Sequence, residues 1–190
     1  ISDLYVDDWP EDINWEGEPT SLIAVVAGDI SRDLDRTVYE LEKISKVYKQ
    51  VMYIDGDLEH ENNPHTVVGN KNYLSRKINK INNCTFLYEN VVLINHVAFA
   101  AANLWWCPDE STNITDDQWM DDMRMLTLHH TDLDYLRNTV GRLQQSSDIA
   151  NIVVVSHSVP NKELIVGRAD RRAATNASDW IELEDFNHKI

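Results

Sequence analysis

The sequence predicts a mixed α/β fold, and three observations carry that prediction. Short, wholly apolar runs stand at Leu22 to Ala27, Val51 to Ile54 and Ile152 to Val155, the length and composition of buried strands. Each run stops at a polar turn: Gly28-Asp29, Asp55-Gly56-Asp57 and Ser156-His157-Ser158. Between the first two, Leu34, Val38, Leu41, Ile44 and Val47 recur at helical spacing with charges between them. Strand, helix and strand in that order read as a parallel crossover. Ligand sites in such sheets collect at the strand C-termini.

The elements follow in order. Ile1 reads as the end of a strand that leads to Asp3. Asp33 is placed to cap the first helix. Glu59 to Gly69 is a polar loop, and Tyr73, Ile78 and Ile81 suggest a short helix after it. Cys84 to Tyr88 and Val91 to Asn95 read as two strands around a tight Glu89-Asn90 turn, with a third strand over Val97 to Ala102. Asn103 to Thr131 is long, with two Trp, Pro108 and the acidic stretch DDQWMDD, and such a segment is either functional or hides a helix. Leu133, Leu136, Val140 and Leu143 give a second amphipathic helix, capped by Thr131 or Asp132. A further helix is expected near Ser178 to Asp185. No repeat or linker interrupts the chain, so residues 1–190 read as a single domain.

Charge narrows the function classes. Lys and Arg number 17 against 32 Asp and Glu, a net charge of −15. Counterion release requires Lys/Arg-rich surfaces, so a general nucleic-acid binder is excluded, and anionic membranes are unfavourable partners. Divalent cations are compatible with this acidic protein. No run approaches the roughly 20 apolar residues of a membrane span, and no leader is visible, so the expected location is cytoplasmic. Cys84 and Cys107 read as free thiols rather than a scaffold. Asn83, Asn113 and Asn176 head Asn-x-Ser/Thr triplets, which are common by chance.

Polar residues stand just past the buried strands: Asp29, Asp57 and His157, with Asp3 past Ile1. Carboxylates and an imidazole at strand ends can hold two divalent cations about 3.5–4 Å apart, which clamp a phosphoryl group and ionise a water for in-line attack. The competing reading is that Asp and Gly end strands everywhere as turn formers.

The runs ISDLY, AVVAGDIS, VMYIDGDLEHEN, VAFAAANLWW and IVVVSHSVPN, in that order, resemble the calcineurin-like metallophosphoesterases. The resemblance implies a two-layer β-sandwich flanked by helices, with its last strands incomplete at the C-terminus. It implies metal-dependent hydrolysis of a phosphomonoester or phosphodiester, with one or two ions of manganese, iron or zinc. It implies metal ligands at Asp3, Asp29, Asp57 and His157, with Asp29 bridging. Tyr5 stands where the family has a ligand His, and Leu58 where it has the general-acid His; the closing Gly-His-x-His is absent. A missing general acid typically costs about 10²–10⁴-fold, so these departures imply weak activity or none. The alternative is a non-catalytic module that keeps the fold and binds a protein partner in a larger assembly.

Other residues carry paired readings. Arg168, Arg171 and Arg172 can meet a substrate phosphate or form a surface ion-pair patch. His60 and His65 are solvated loop residues or stand-in ligands, and His96 is ordinary. The cluster His129 to Asp134 is a helix start or a metal group, and Asp116 to Asp122 a solvated face or a calcium loop. Trp105, Trp106 and Trp119 pack a core or stack on a base.

Overall fold

The computed structural model describes residues 1–9, 15, 19–61, 66–105 and 116–159, with side chains in the last stretch described from Arg124 onward. The chain divides into two compact units, Ile1–Asn90 and Val91–Ile190. Among the described residues the class is mixed, with two three-stranded sheets and three α-helices.

In the first unit, β1 (Ile23–Ala27), β2 (Gln50–Ile54) and β3 (Cys84–Phe86) form a parallel sheet in that order. Val26, Val51, Met52 and Tyr53 are fully buried, which is why these strands read as unbroken apolar runs. Helix α1 (Leu34–Val47) joins β1 to β2, and α2 (Val67–Ile78) lies between β2 and β3. Leu34, Val38, Leu41 and Ile44 place the apolar stripe of α1 in the core cluster, which Leu74 and Ile78 of α2 share. Asp33 caps α1, its carboxylate accepting from Asp35 N at 2.8 Å and Arg36 N at 3.4 Å. Thr66 caps α2 through Gly69 N at 3.2 Å.

Residues 1–6 run beside β1 in the same direction. Ala27 N donates to Ile1 O, Asp3 N to Gly28 O and Val6 N to Ile30 O, at 2.8, 3.2 and 2.9 Å. Cys84 is a buried free thiol, and burial pushes its pKa up to about 12.

In the second unit, β4 (Val91–Ile94) and β5 (Val97–Ala102) pair antiparallel, and β6 (Asn151–Ser156) pairs parallel with β5. The expected hairpin around Glu89-Asn90 does not form, because β3 pairs with β2 and β4 with β5. The hairpin turns at Asn95-His96 instead, both left-handed with φ 48° and 65°. A two-residue hairpin loop needs that conformation, and Asn tolerates it well.

Helix α3 spans Asp116–Gln144, so it begins well before Thr131. Thr131 is an interior residue, its hydroxyl donating to Thr127 O at 2.8 Å rather than capping. The acidic Asp116 to Asp122 stretch is helical backbone, not a calcium loop. Leu133 and Leu136 pack with Ala100, Ala102 and Leu104, the alanines offering a low surface for the helix. Among the described residues, no helix is long and apolar enough to cross a membrane.

The capping geometry is testable. Asp33→Ala leaves two first-turn N–H groups of α1 without their acceptor and should cost about 1 kcal/mol in urea unfolding.

Candidate functional site

The parallel register sets Ala27 opposite Ile54, so the turns after β1 and β2 emerge side by side. Glu59 ties them together. Its Oε2 accepts from Asp29 N at 3.1 Å and Gly56 N at 2.8 Å, and its Oε1 from Ile30 N at 2.7 Å. The side chain is fully buried. Burial pushes its pKa up, the Ile30 and Gly56 donors pull it partly back, and the Asp29 and Asp55 charges push with burial, so the carboxyl sits above its ordinary range.

Gly56 is there because nothing larger fits. A Cβ on it would collide with the Oδ1 and the backbone N of Asp29. Asp29 itself is left-handed at φ 56°, as are Gly28 at 73°, Asp3 at 56° and Tyr5 at 46°. Such backbone is costly for residues with a Cβ and persists only where surrounding bonds hold it. Here those bonds include Glu59 on Asp29 N and Tyr5 N on Asp29 O at 3.1 Å.

Asp29 is 5% exposed and accepts a hydrogen bond on each oxygen. Leu58 N donates to Oδ1 at 3.0 Å and the Tyr5 hydroxyl donates to Oδ2 at 2.7 Å. Asp3 and Asp29 offer carboxylate oxygens within 4.8 Å of one another. The hydrogen bond to Asp29 first, then burial, then the charges of Asp29, Asp3 and Asp57 raise the Tyr5 pKa well above the ordinary phenol value. In this arrangement the Tyr5 hydroxyl acts as a donor to Asp29. Leu58 is 5% exposed and sits in the core, an apolar residue where a proton donor was expected.

His60 is not a solvated loop residue. Its Nε2 lies 2.6 Å from Asp55 Oδ2, and Asn70 Nδ2 donates to its Nδ1 at 3.2 Å, which leaves the proton on Nε2. Lys71 Nζ is 3.9 Å from the same Asp55 oxygen and 4.8 Å from the centre of the Tyr88 ring. Burial pushes Asp55 up, but Lys71 and His60 outweigh it and hold the carboxyl below its ordinary range. With both ring nitrogens engaged, His60 serves this buried network rather than a substrate.

The remaining candidates divide as follows. Asp57 heads the 3-10 turn Leu58–His60 beside Asp29. His157 is half-buried, one residue past β6 in the second unit. Arg168, Arg171, Arg172, His65, Trp106 and Cys107, the Trp119 side chain, and the tail helix lie outside the described residues. Trp105 is 1% exposed, a core residue rather than a stacking platform. His129 is buried with Nδ1 2.7 Å from Trp105 O, while His130 is exposed and meets the His129 ring edge-on at 5.7 Å between centres. Asp132 accepts from Leu104 N at 3.0 Å. These contacts pin the end of β5 to α3 and do not assemble a metal group.

Glu59 and Gly56 are the site residues that motif reading passed over. The signal was present: Gly-Asp-x-Glu after an apolar strand leaves a carboxylate three residues from a glycine N–H.

No family model and no curated protein sequence matches the chain. Among solved structures, the phosphopantetheinyl hydrolase of Mycobacterium tuberculosis is similar at a TM-score of 0.65 and 14% identity, over 94% of this chain and 73% of that one. The two share a fold. These findings overturn the assignment to the calcineurin-like metallophosphoesterases. No match returns that family, and the neighbour is named as another hydrolase. The physical reason is that the resemblance rested on short Gly-Asp frames at strand ends, which report turn backbone before they report chemistry. The general phosphomonoester or phosphodiester hydrolysis drawn from that family is withdrawn with it, as is its interaction-only alternative.

Two expectations follow from the geometry. Glu59→Gln meets three N–H donors with an amide and should lose about 2–3 kcal/mol in urea unfolding, more than Gln substitution at exposed Glu42. The pH limb is set by Asp55. Its folded pKa is depressed, so its contribution is full above the ordinary value of 3.8 and is lost as pH falls through the folded value. Asp55→Asn should flatten the loss of stability below that pH in an acid titration followed by circular dichroism. Glu59, raised from 4.5, has the opposite sign: its contribution is present below that value and is lost as pH rises through the folded one.

Proposed function

We propose that the chain is a hydrolase acting on a phosphopantetheinyl group, and that Asp3, Asp29 and Asp57 hold a divalent cation: manganese, iron or zinc. The observation that carries the hydrolase reading is the fold shared with the phosphopantetheinyl hydrolase across 94% of the chain. The cation reading is supported by two carboxylates brought within 4.8 Å by strained, left-handed backbone. Backbone strain concentrates where geometry serves chemistry. A bound cation supplies a Lewis acid and lowers the pKa of water.

The chain's own residues set the rest. Asp29 and Asp3 present the oxygens, and Glu59 and Gly56 fix where Asp29 stands. His157 enters the proposal on its sequence position, as the imidazole just past a hydrophobic strand. Arg168 and Arg171 enter as contacts for the substrate phosphate. Leu58 gives no proton to a departing group, so turnover should be slow, by about 10²–10⁴-fold against a site with a general acid.

Coenzyme A bears the phosphopantetheinyl group and serves as the probe. With manganese the protein should release phosphopantetheine slowly, and chelator or Asp29→Ala should abolish release. Well-folded protein that releases none under any of the three metals would rule out the hydrolase reading. Release that survives Asp29→Ala would remove the cation from this position. His157→Ala should weaken manganese binding at least tenfold in calorimetry, and unchanged binding would drop it from the ligand set.

A further inference from the structure

We propose that the Tyr5 hydroxyl is a built-in stand-in for a cation, holding Asp29 in place when the site is empty and competing with a cation for Oδ2. This deepens the cation reading above and rests on it. The buried Asp29 carboxylate lies within 4.8 Å of an Asp3 oxygen, and a buried carboxylate needs donors on its oxygens. Leu58 N serves Oδ1, and the Tyr5 hydroxyl serves Oδ2 at 2.7 Å. A hydrogen bond to an ionised acceptor is among the stronger ones.

Tyr5 is also held where it stands. Its N donates to Asp29 O at 3.1 Å, and its carbonyl accepts from Asp8 N at 3.0 Å. The left-handed φ of 46° turns the chain there, at the head of the short turn Val6–Asp8. The hydroxyl therefore stands as a donor on the Oδ2 edge of Asp29, where a cation would also bind. A cation approaching Oδ2 must displace that donor.

Tyr5→Phe removes the hydroxyl and keeps the ring. In calorimetry with manganese it should bind about tenfold tighter than the parent, the fold-change equivalent to one hydrogen bond to a charged group. In chelator the same variant should melt several degrees lower, and manganese should restore more of that loss than it adds to the parent. Binding no tighter than the parent, or an unchanged melting temperature in chelator, overturns the stand-in role while leaving the cation reading intact if the parent binds manganese. Absence of manganese binding by both proteins overturns the cation reading and the competition with it. A Tyr5→Phe chain that folds only in manganese supports the stand-in directly. One that folds in neither buffer overturns it, because a cation should replace the lost donor.

Discussion

The first unit depends on one buried carboxylate. Glu59 gathers the N–H groups of Asp29, Ile30 and Gly56, and so joins the turn after β1 to the turn after β2. Those N–H groups lie past the ends of the strands, where the sheet ladder no longer serves them. Leaving a buried donor unsatisfied costs about 1–3 kcal/mol, and here three share one acceptor group. The bond set fixes the positive φ of Asp29, aims its carboxylate along the strand ends, and makes a side chain at residue 56 impossible. A group whose ionised form is disfavoured by burial is thus kept because its partners are immobile backbone.

A second constraint is how so many acids coexist at one edge. Asp7, Asp29, Asp55, Glu59 and Glu61 each receive a donor. Asp7 accepts from the Ser31 hydroxyl at 2.6 Å and from Arg32 N at 2.7 Å, which anchors the N-terminal turn to the loop after β1. Arg32 Nε also reaches Glu61 at 2.8 Å. Asp55 is answered by His60 and Lys71 beneath the edge. Backbone N–H groups and hydroxyls do most of this work, and exposed ion pairs add little. The site can therefore stay organised and anionic together.

How much of this was legible in the sequence depended on periodicity. The strands around Val25, Met52 and Val153 were visible because buried strands are unbroken apolar runs, and α1 because its stripe has helical spacing and a capping Asp33. The start of α3 was hidden, since its first two turns are acidic and polar and follow a Pro-containing segment. The β4–β5 hairpin was misplaced because Glu89-Asn90 and Asn95-His96 both look like turns, and register is settled by pairing, not by turn residues. At the site, position along the chain pointed to Asp29. It did not show that Tyr5 would donate to it, that Glu59 would sit beneath it, or that His60 would turn inward. Those contacts join residues 24 to 30 positions apart or bury a polar loop, and local pattern carries no trace of them.

Cys84 adds a kinetic handle on the same unit. Its thiol lies at the start of β3, buried and with a pKa pushed up to about 12, so almost none of it is thiolate near neutrality. Thiolate is the species that attacks an alkylating or disulfide reagent. In a chain with Cys107 replaced, labelling at Cys84 would proceed only through openings that detach β3 from β2. The labelling rate would then time the breathing of the sheet that carries Asp29 and Glu59, without a probe being added to the edge itself.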